Sequence, residues 1–421
     1  MNILRNPLIR TAFMAVSLIC LSCNGPEVPA CHILFEAHPS DSIPYRIPAI
    51  ASMHNGDIIA LADYRHCLLD IGWGRVDVRG RISHDNGGTW EDEFILIEGT
   101  GASKATDCGF GDPAIVADRE SGDVIVMMVC GETIYWHPTT TRENPNRIAV
   151  MRSGDCGKTW SGWEEITEQV YSLYDGCMYG CIQSCFVASG KIFQSRMIKA
   201  GSHYRIYAAL CARPNGNRVI YSDDFGHTWH ALGHVDDLPA VNGDEPKCEE
   251  LPDGSVILSS RGYGGRFFNI YRYSDAATGT GEWGQVASSV ASNNGCAAIE
   301  NACNGEILIV PARRNADRKK VLLVLQSVPL GPKRTNVGIY YKELPEDTSD
   351  LTPASLASGW EKPYQVSEST SAYSTMMPLK NGNIAFYYEE NENHNCSGGY
   401  DMVYREIALD EITSGAYRKL R

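Results

Sequence analysis

Three copies of one eight-residue pattern run through the chain: SHDNGGTW (Ser83 to Trp90), SGDCGKTW (Ser153 to Trp160) and SDDFGHTW (Ser222 to Trp229). Each reads Ser-x-Asp-x-Gly-x-Thr-Trp, and their starts lie about 70 residues apart. Self-similarity at a fixed period marks a repeat architecture, in which each unit buries its apolar face against the next. The pattern has the chemistry of a turn. Asp accepts from nearby backbone N–H groups, Gly supplies a positive φ, and Trp pins the turn with a large apolar face. The boxes therefore define a fold and not a reaction.

A second repeat counts the units. Apolar, alternating runs preceded by Asn-Gly, Asp-Gly or Ser-Gly begin after Gly56, Gly122, Gly190, Gly254, Gly305 and Gly382. Such a turn followed by alternation reads as a hairpin. Further strand-like runs such as RIAVMRS, NRVIYSDD, VLLVLQSV and DMVYREIAL fit between them, and no long stretch has helical periodicity. The expectation is an all-β chain, a six-bladed β-propeller of four-stranded antiparallel sheets, with about 65 residues per blade. A β-helix is the weaker alternative, because its repeats are far shorter.

The repeats span nearly all of the chain, so one domain is expected over 41–421, after a leader over 1–22 and a linker over 23–40. The leader has a basic start (Arg5, Arg10) and an apolar run, Thr11 to Leu21, too short to span a bilayer. Ser22-Cys23 then favours a bacterial lipoprotein signal with a lipid anchor at Cys23 over simple secretion, although Cys20 stands where Leu is usual. Either places the protein outside the cytoplasm. A net charge of −14 argues against nucleic acid or an anionic membrane as partner. Beyond Cys20 and Cys23 an odd number of cysteines remains, so export permits disulfides whose pairing is not deducible. Cys177, Cys181 and Cys185 sit at i, i+4 and i+8, but no Cys-x-x-Cys or His-x-x-Cys accompanies them, and neither metal nor cofactor is expected.

The chemistry lies in the arginines. Loops of successive blades converge on the axis at one end of a propeller. Arg46 precedes the first Gly-turn strand, Arg65 ends it, Arg261 ends the fourth, and Arg334 follows QSVPLGPK in the fifth unit. Converging guanidinium groups would make a local anion site in an acidic protein, matched to a carboxylate. Spacing alone does not select these arginines from the others.

A resemblance does. The segment Tyr45-Arg46-Ile47-Pro48 followed by the repeated Asp boxes resembles the sialidases (exo-α-sialidases, neuraminidases) of bacterial and animal type, over nearly the whole chain after the leader. In that family three arginines bind the substrate carboxylate. The resemblance assigns this to Arg46 through YRIPAI, to Arg261 through GDEPKCEELPDGSVILSSR, and to Arg334 through VPLGPKRTNVG, with Arg313 a poorer fit for the last. It implies Asp70 as acid/base, five residues after Arg65, Tyr373 in SAYS as nucleophile, and Glu245 in GDEP as its partner. Asp112 in GDPAIV would contact the sugar near its 4-hydroxyl and acetamido groups, with Arg65 on the same side. Two departures stand out. Pro246-Lys247 occurs where Cys-Gln is common, so the local backbone is expected to differ. The Arg334–Tyr373 gap is long, and the insert Leu344 to Glu361 is expected at the pocket rim.

These residue types suit a sugar that carries a carboxylate on its anomeric carbon. A neutral phenol avoids the repulsion a carboxylate nucleophile would meet, and sialidases with a Tyr nucleophile are exceptions to the two-carboxylate scheme. The implied activity is retaining hydrolysis of terminal α-linked sialic acid from sialylated glycans. Transfer of the sugar to another glycan or to its own 7-hydroxyl, preference for a deaminated sialic acid, and a non-catalytic Asp-box binding module are the alternatives. The arginine cluster is expected to lower the Tyr373 pKa.

Overall fold

The fold comes from a computed structural model that describes residues 31–37, 43–391 and 399–420. The leader and Cys23 lie outside these residues. No described helix is long and apolar enough to cross a membrane. The strands form six separate sheets arranged as a six-bladed propeller. Blade one runs Tyr45–Ser52, Ile58–Tyr64, Asp77–Ser83, Phe94–Ile97 from the axis outward. Blade two starts with Phe110–Ala117 and Val124–Cys130, blade four with Pro246–Glu250 and Val256–Gly262, and blade six with Thr370–Pro378 and Ile384–Asn391.

Every blade buries both faces, and this shapes the sequence. In blade two, Val124, Val126 and Met128 pack towards blade one, whereas Ile125 and Met127 pack towards blade three. Successive side chains point to opposite faces, so a strand between two cores must be apolar at every position. The run VIVMMVC is accordingly buried throughout. Six such clusters fill the six inter-blade spaces.

The ring closes with its own N-terminal part. Cys31–Phe35 pairs antiparallel with Asp401–Ile407 as the outer strand of blade six, with His32 opposite Tyr404. This strand lies inside the stretch expected to be a linker. Five residues with a bulge between Ile33 and Phe35 carry too little alternation to be read as a strand. Leu34 and Phe35 nevertheless join the core between blades six and one.

The three Asp boxes are turns between third and fourth strands, with nearly identical hydrogen bonds. In the first, Ser83 Oγ donates to Asp85 at 2.9 Å and accepts from Gly87 N at 2.8 Å. Asp85 also accepts from Thr89 N and Thr89 Oγ1, each at 2.7 Å. The other boxes repeat this at Asp155 and Asp224.

The Gly turns need a correction. After Gly56, Gly122, Gly254 and Gly382 the chain enters the second strand of a blade through a hairpin: Met53, Leu251 and Leu379 donate N–H to the carbonyls of Asp57, Ser255 and Asn383, and in a turn one residue longer Asp118 donates to Asp123. Gly190 instead interrupts the inner edge of blade three, where Ser184–Val187 and Phe193–Ala200 both pair along His203–Arg213. Gly305 precedes the first strand of blade five in chain order, Ile307–Arg314. The equivalent hairpins lie at Gly201-Ser202 and at Arg314–Lys319. The blade count is unaffected, because each blade still contributes one hairpin.

Candidate active site

Second strands run towards the end of the propeller where the next inner strand begins, so this end receives two kinds of residue. Arg65 follows the second strand of blade one, Arg261 sits at the end of that of blade four, and Arg334 follows Lys320–Pro329 in blade five. Arg46, Asp112, Glu245 and Tyr373 come from the starts of inner strands. Together with Asp70, all eight residues line one cavity of about 340 Å³. Arg313 is absent from it and bonds the carbonyl of Arg318 at the opposite end.

Bulges aim three of these side chains. The pairing register shifts between Arg46 and Ala49, between Gly111 and Ala114, and between Ser371 and Ser374. An extra residue bends the strand and re-aims its neighbours. In the first two bulges the residue before Pro has a positive φ, 62° at Ile47 and 53° at Asp112. Such a backbone is strained for a β-branched residue. Pro48 and Pro113 follow, and proline lacks the N–H a regular ladder would need. The Arg-Ile-Pro and Gly-Asp-Pro segments are therefore bulge sequences as well as carriers of chemistry.

At the centre, Tyr373 Oη donates to Glu245 Oε1 at 2.6 Å. Arg261 Nη1 bonds Glu245 Oε2 at 2.8 Å and Tyr373 Oη at 3.1 Å. The Arg46 and Arg334 guanidinium carbons lie 5.6 and 5.5 Å from the centre of the Tyr373 ring. Arg46 is ion-paired to Glu389 at 2.7 Å. Arg334 faces Tyr373, Cys303 and the other two arginines, with no carboxylate in ion-pair range among the described residues. Arg46 and Arg261 are thus paired with carboxylates, whereas Arg334 has none among the described residues and is the guanidinium left for an incoming anion.

Glu389 is the residue that sequence reasoning missed at this end. Fully buried, it accepts from Arg46 Nε, from Ile47 N at 2.8 Å and from Tyr373 N at 3.1 Å. It ties the first and last bulges together. Its only sequence signal is a Glu at the end of an apolar strand, in FYYEEN.

The far wall holds the acids. Arg65 Nη2 lies 2.9 Å from Asp63, 3.0 Å from Asp70 and 3.7 Å from Asp112. Asp63, also missed, is fully buried and accepts from Arg65 Nε and from Asp112 N at 2.9 Å. The Asp70 side chain is 58% exposed, which leaves it free to meet a ligand. One guanidinium faces three carboxylates. Burial pushes Asp63 up to about 7, and burial with the neighbouring Asp70 and Asp63 charges pushes Asp112 well above the ordinary range. Asp63 already accepts from Arg65 and an amide, so the shared proton belongs on Asp112.

The Tyr373 phenol moves in the opposite direction from the expectation. Burial and the Glu245 charge raise it well above 10, and Arg261 and Arg334 only partly offset them. Desolvation of the phenolate and the Glu245 charge outweigh two guanidinium groups, one of which, Arg261, is itself shared with Glu245. In the free protein Tyr373 is a neutral hydroxyl whose proton already points at Glu245.

The Leu344–Glu361 insert is not at the rim. It follows the third strand of blade five, Val337–Glu343, packs along blade four, and contributes no residue to the cavity lining. There Arg272 binds the carbonyls of Thr348 and Leu351, and Trp360 stacks on Phe268. Among the aromatics, Trp136 lines the cavity while 61% exposed, and Tyr263 is 75% exposed on the hairpin after Arg261. All twelve described cysteines are free thiols.

Comparison with known proteins gives the class first. The chain belongs to the BNR repeat-like domain family, whose model matches residues 72–384, and its relatives are sialidases. It is 34% identical over 224 residues to a sialidase of Micromonospora viridifaciens, covering 52% of this chain and 32% of that protein. It is 26% identical over 302 residues to a sialidase of Bacteroides fragilis, covering 68% of this chain and 51% of that protein. The chain thus matches a third to a half of these relatives' length. In fold it is similar to the Hadza microbial sialidase Hz136, with TM-score 0.68 and 22% identity over 90% of this chain and 68% of that one. It is also similar to a leech intramolecular trans-sialidase, with TM-score 0.67 and 14% identity over 91% of this chain and 71% of that one.

Proposed function

We propose that the chain is an exo-α-sialidase that releases terminal α-linked sialic acid from glycans with retention of configuration. The observation that carries this reading is the Tyr373–Glu245–Arg261 cluster beneath Arg46 and Arg334, opposite Asp70. The arginines bind the substrate carboxylate and orient the anomeric carbon over the Tyr373 hydroxyl. Tyr373 attacks that carbon while Glu245 takes the phenolic proton, and Asp70 protonates the departing glycosidic oxygen. Asp70 then removes a proton from water, which attacks the same carbon as the bond to Tyr373 breaks, and Glu245 returns its proton to the departing phenolic oxygen; two inversions give net retention. Asp112 and Arg65 line the side of the sugar away from the arginine cradle, with Ile134, Tyr135 and Phe186 forming an apolar wall.

Transfer to the sugar's own 7-hydroxyl is the second reading, favoured by Trp136 at the cavity wall, where it would limit water access. Proton NMR of the first product from a sialyl-lactose separates the outcomes. Hydrolysis gives the α-anomer of free sialic acid, and internal transfer gives the 2,7-anhydro sugar. Release of the β-anomer first would reject the double displacement. A lipid anchor at Cys23 remains part of the proposal and would place the enzyme on a bacterial surface.

A further inference from the structure

Lys247 is one of the two residues that depart from the family pattern beside Glu245. The backbone there is regular: Pro246–Glu250 pairs in unbroken register with Val256–Ser260. The departure is therefore one of charge. Alternation along a strand places Glu245, Lys247 and Glu249 on one face, with about 6.6 Å between alternate Cα atoms.

Lys247 is 1% exposed, and its Nζ has no hydrogen-bond partner among the described residues. It projects into a polar gap left by the missing side chain of Gly190, whose φ is 101°. A Cβ at Gly190 would lie 2.8 Å from Lys247 Nζ, 3.5 Å from Thr375 Oγ1 and 3.6 Å from Glu306 Oε2. Glu306 is already shared, accepting from Thr375 Oγ1 at 3.1 Å and lying 3.5 Å from Lys191 Nζ. Glu249 is held by Lys191 and Arg196. Among the described residues Lys247 thus has no ion-pair carboxylate of its own, and the next carboxylate towards the cavity on its own strand face is Glu245.

The charged groups facing Lys247 are Glu306 from blade five, Glu245 just before its own strand, Arg266 from its own blade four and Lys191 from beside blade two. Burial pulls its ammonium pKa down, and the two glutamates oppose that. From the cavity side, Glu245 meets Arg261 and Tyr373 directly, with Asp112 across the cavity. Asp244 precedes it and is 3.4 Å from Arg261.

We propose that Lys247 is a positioning residue for the reaction, a buried cation that supports Glu245 in its proton-accepting form from beneath. The inference rests on Glu245 being the base for Tyr373. Its physical logic concerns the bound state. An incoming carboxylate competes with Glu245 for Arg261 and adds a second negative charge. Lys247 is sealed below the cavity floor, so substrate does not draw it away.

The test is the pH dependence of kcat/KM for a fluorogenic α-sialoside, measured on the full chain and on Lys247→Gln, Lys247→Met, Glu306→Gln and Glu245→Gln. Removing a buried cation disfavours the carboxylate, so both Lys247 variants should move the acid limb up by at least about half a pH unit. Removing a carboxylate from the same column should move it down in Glu306→Gln. Opposite shifts are the expected result, with kcat lowered and KM little changed in the Lys247 variants. A merely structural role predicts uniform loss of activity with an unmoved acid limb, and that outcome, or shifts in the same direction, overturns the proposal. Should the Lys247 variants not fold, an acid limb that fails to fall in Glu306→Gln is sufficient to reject it. Glu245→Gln separates the layers: wild-type activity in that variant rejects the base assignment and this inference with it. Loss of activity there, beside an unmoved limb in Lys247→Gln, rejects the inference alone.

Discussion

The Tyr373 hydroxyl donates to Glu245 across 2.6 Å, joining side chains 128 residues apart in the chain. Each alone is ordinary: a strand tyrosine and a loop glutamate. Together, under three guanidinium groups, they have the geometry of the proposed nucleophile and its base. Replacing Tyr373 by Phe keeps the ring between Arg46 and Arg334 and removes only the hydroxyl. Turnover of a fluorogenic α-sialoside should fall at least about a hundredfold, the lower range for a catalytic group, with an unchanged melting curve. Equal turnover by both proteins would remove Tyr373 from the mechanism.

Glu389 supports the cradle without reaching the cavity. Glu389→Gln removes the charge that balances Arg46 and weakens the ties to the Ile47 and Tyr373 amides. Breaking a buried pair from one side costs about 3 kcal/mol at the low end, so thermal stability should fall. KM should rise more than kcat falls, because the proposed role of Arg46 is to bind the substrate carboxylate. Unchanged KM would separate Glu389 from substrate binding.

The acid cluster gives a pH dependence with a definite sign. Asp63 and Asp112 have raised pKa values in the folded protein, so the native state binds more protons than the unfolded chain above the ordinary carboxylate range. Stability from this cluster is therefore fully present below the ordinary carboxylate range and is lost as pH rises above it, through the raised Asp63 and Asp112 values. Asp112→Asn should flatten this slope in melting temperature against pH. A steeper slope in the variant would contradict the assignment of the shared proton to Asp112.

Ring closure predicts a stability effect far from the cavity. Phe35 is 1% exposed and packs on Tyr45 with ring centres 5.1 Å apart. Phe35→Ala should cost about 3–5 kcal/mol, read as a lower midpoint in denaturant. A variant as stable as the parent would mean that the N-terminal strand does not close blade six.

The blades were legible because their signals are local. An Asp box or a Gly hairpin closes within eight residues, so its chemistry is printed contiguously. Even so, Gly190 and Gly305 misled, since the same dipeptide serves a strand break as readily as a hairpin. The uneven spacing around Gly305, 51 residues from Gly254 and 77 to Gly382, was the available warning. The cavity arginines were selected only through the YRIP and Asp-box resemblance. Asp63 and Glu389 escaped because each binds the bulge of a neighbouring blade, Asp63 the Asp112 amide and Glu389 the Arg46–Ile47 segment, which no spacing encodes. The raised Tyr373 pKa escaped for a similar reason, as burial is a property of the closed ring.

The central claim is that Tyr373 forms a bond to the sugar. The direct measurement is mass spectrometry of the protein after incubation with a 2,3-difluorosialic acid, whose fluorine at C3 slows hydrolysis of a glycosyl-enzyme. The account predicts one added fluorosialyl group, mapped to the peptide containing Tyr373 and lost in Tyr373→Phe. An adduct on another residue, or an active protein that accumulates none, would contradict it.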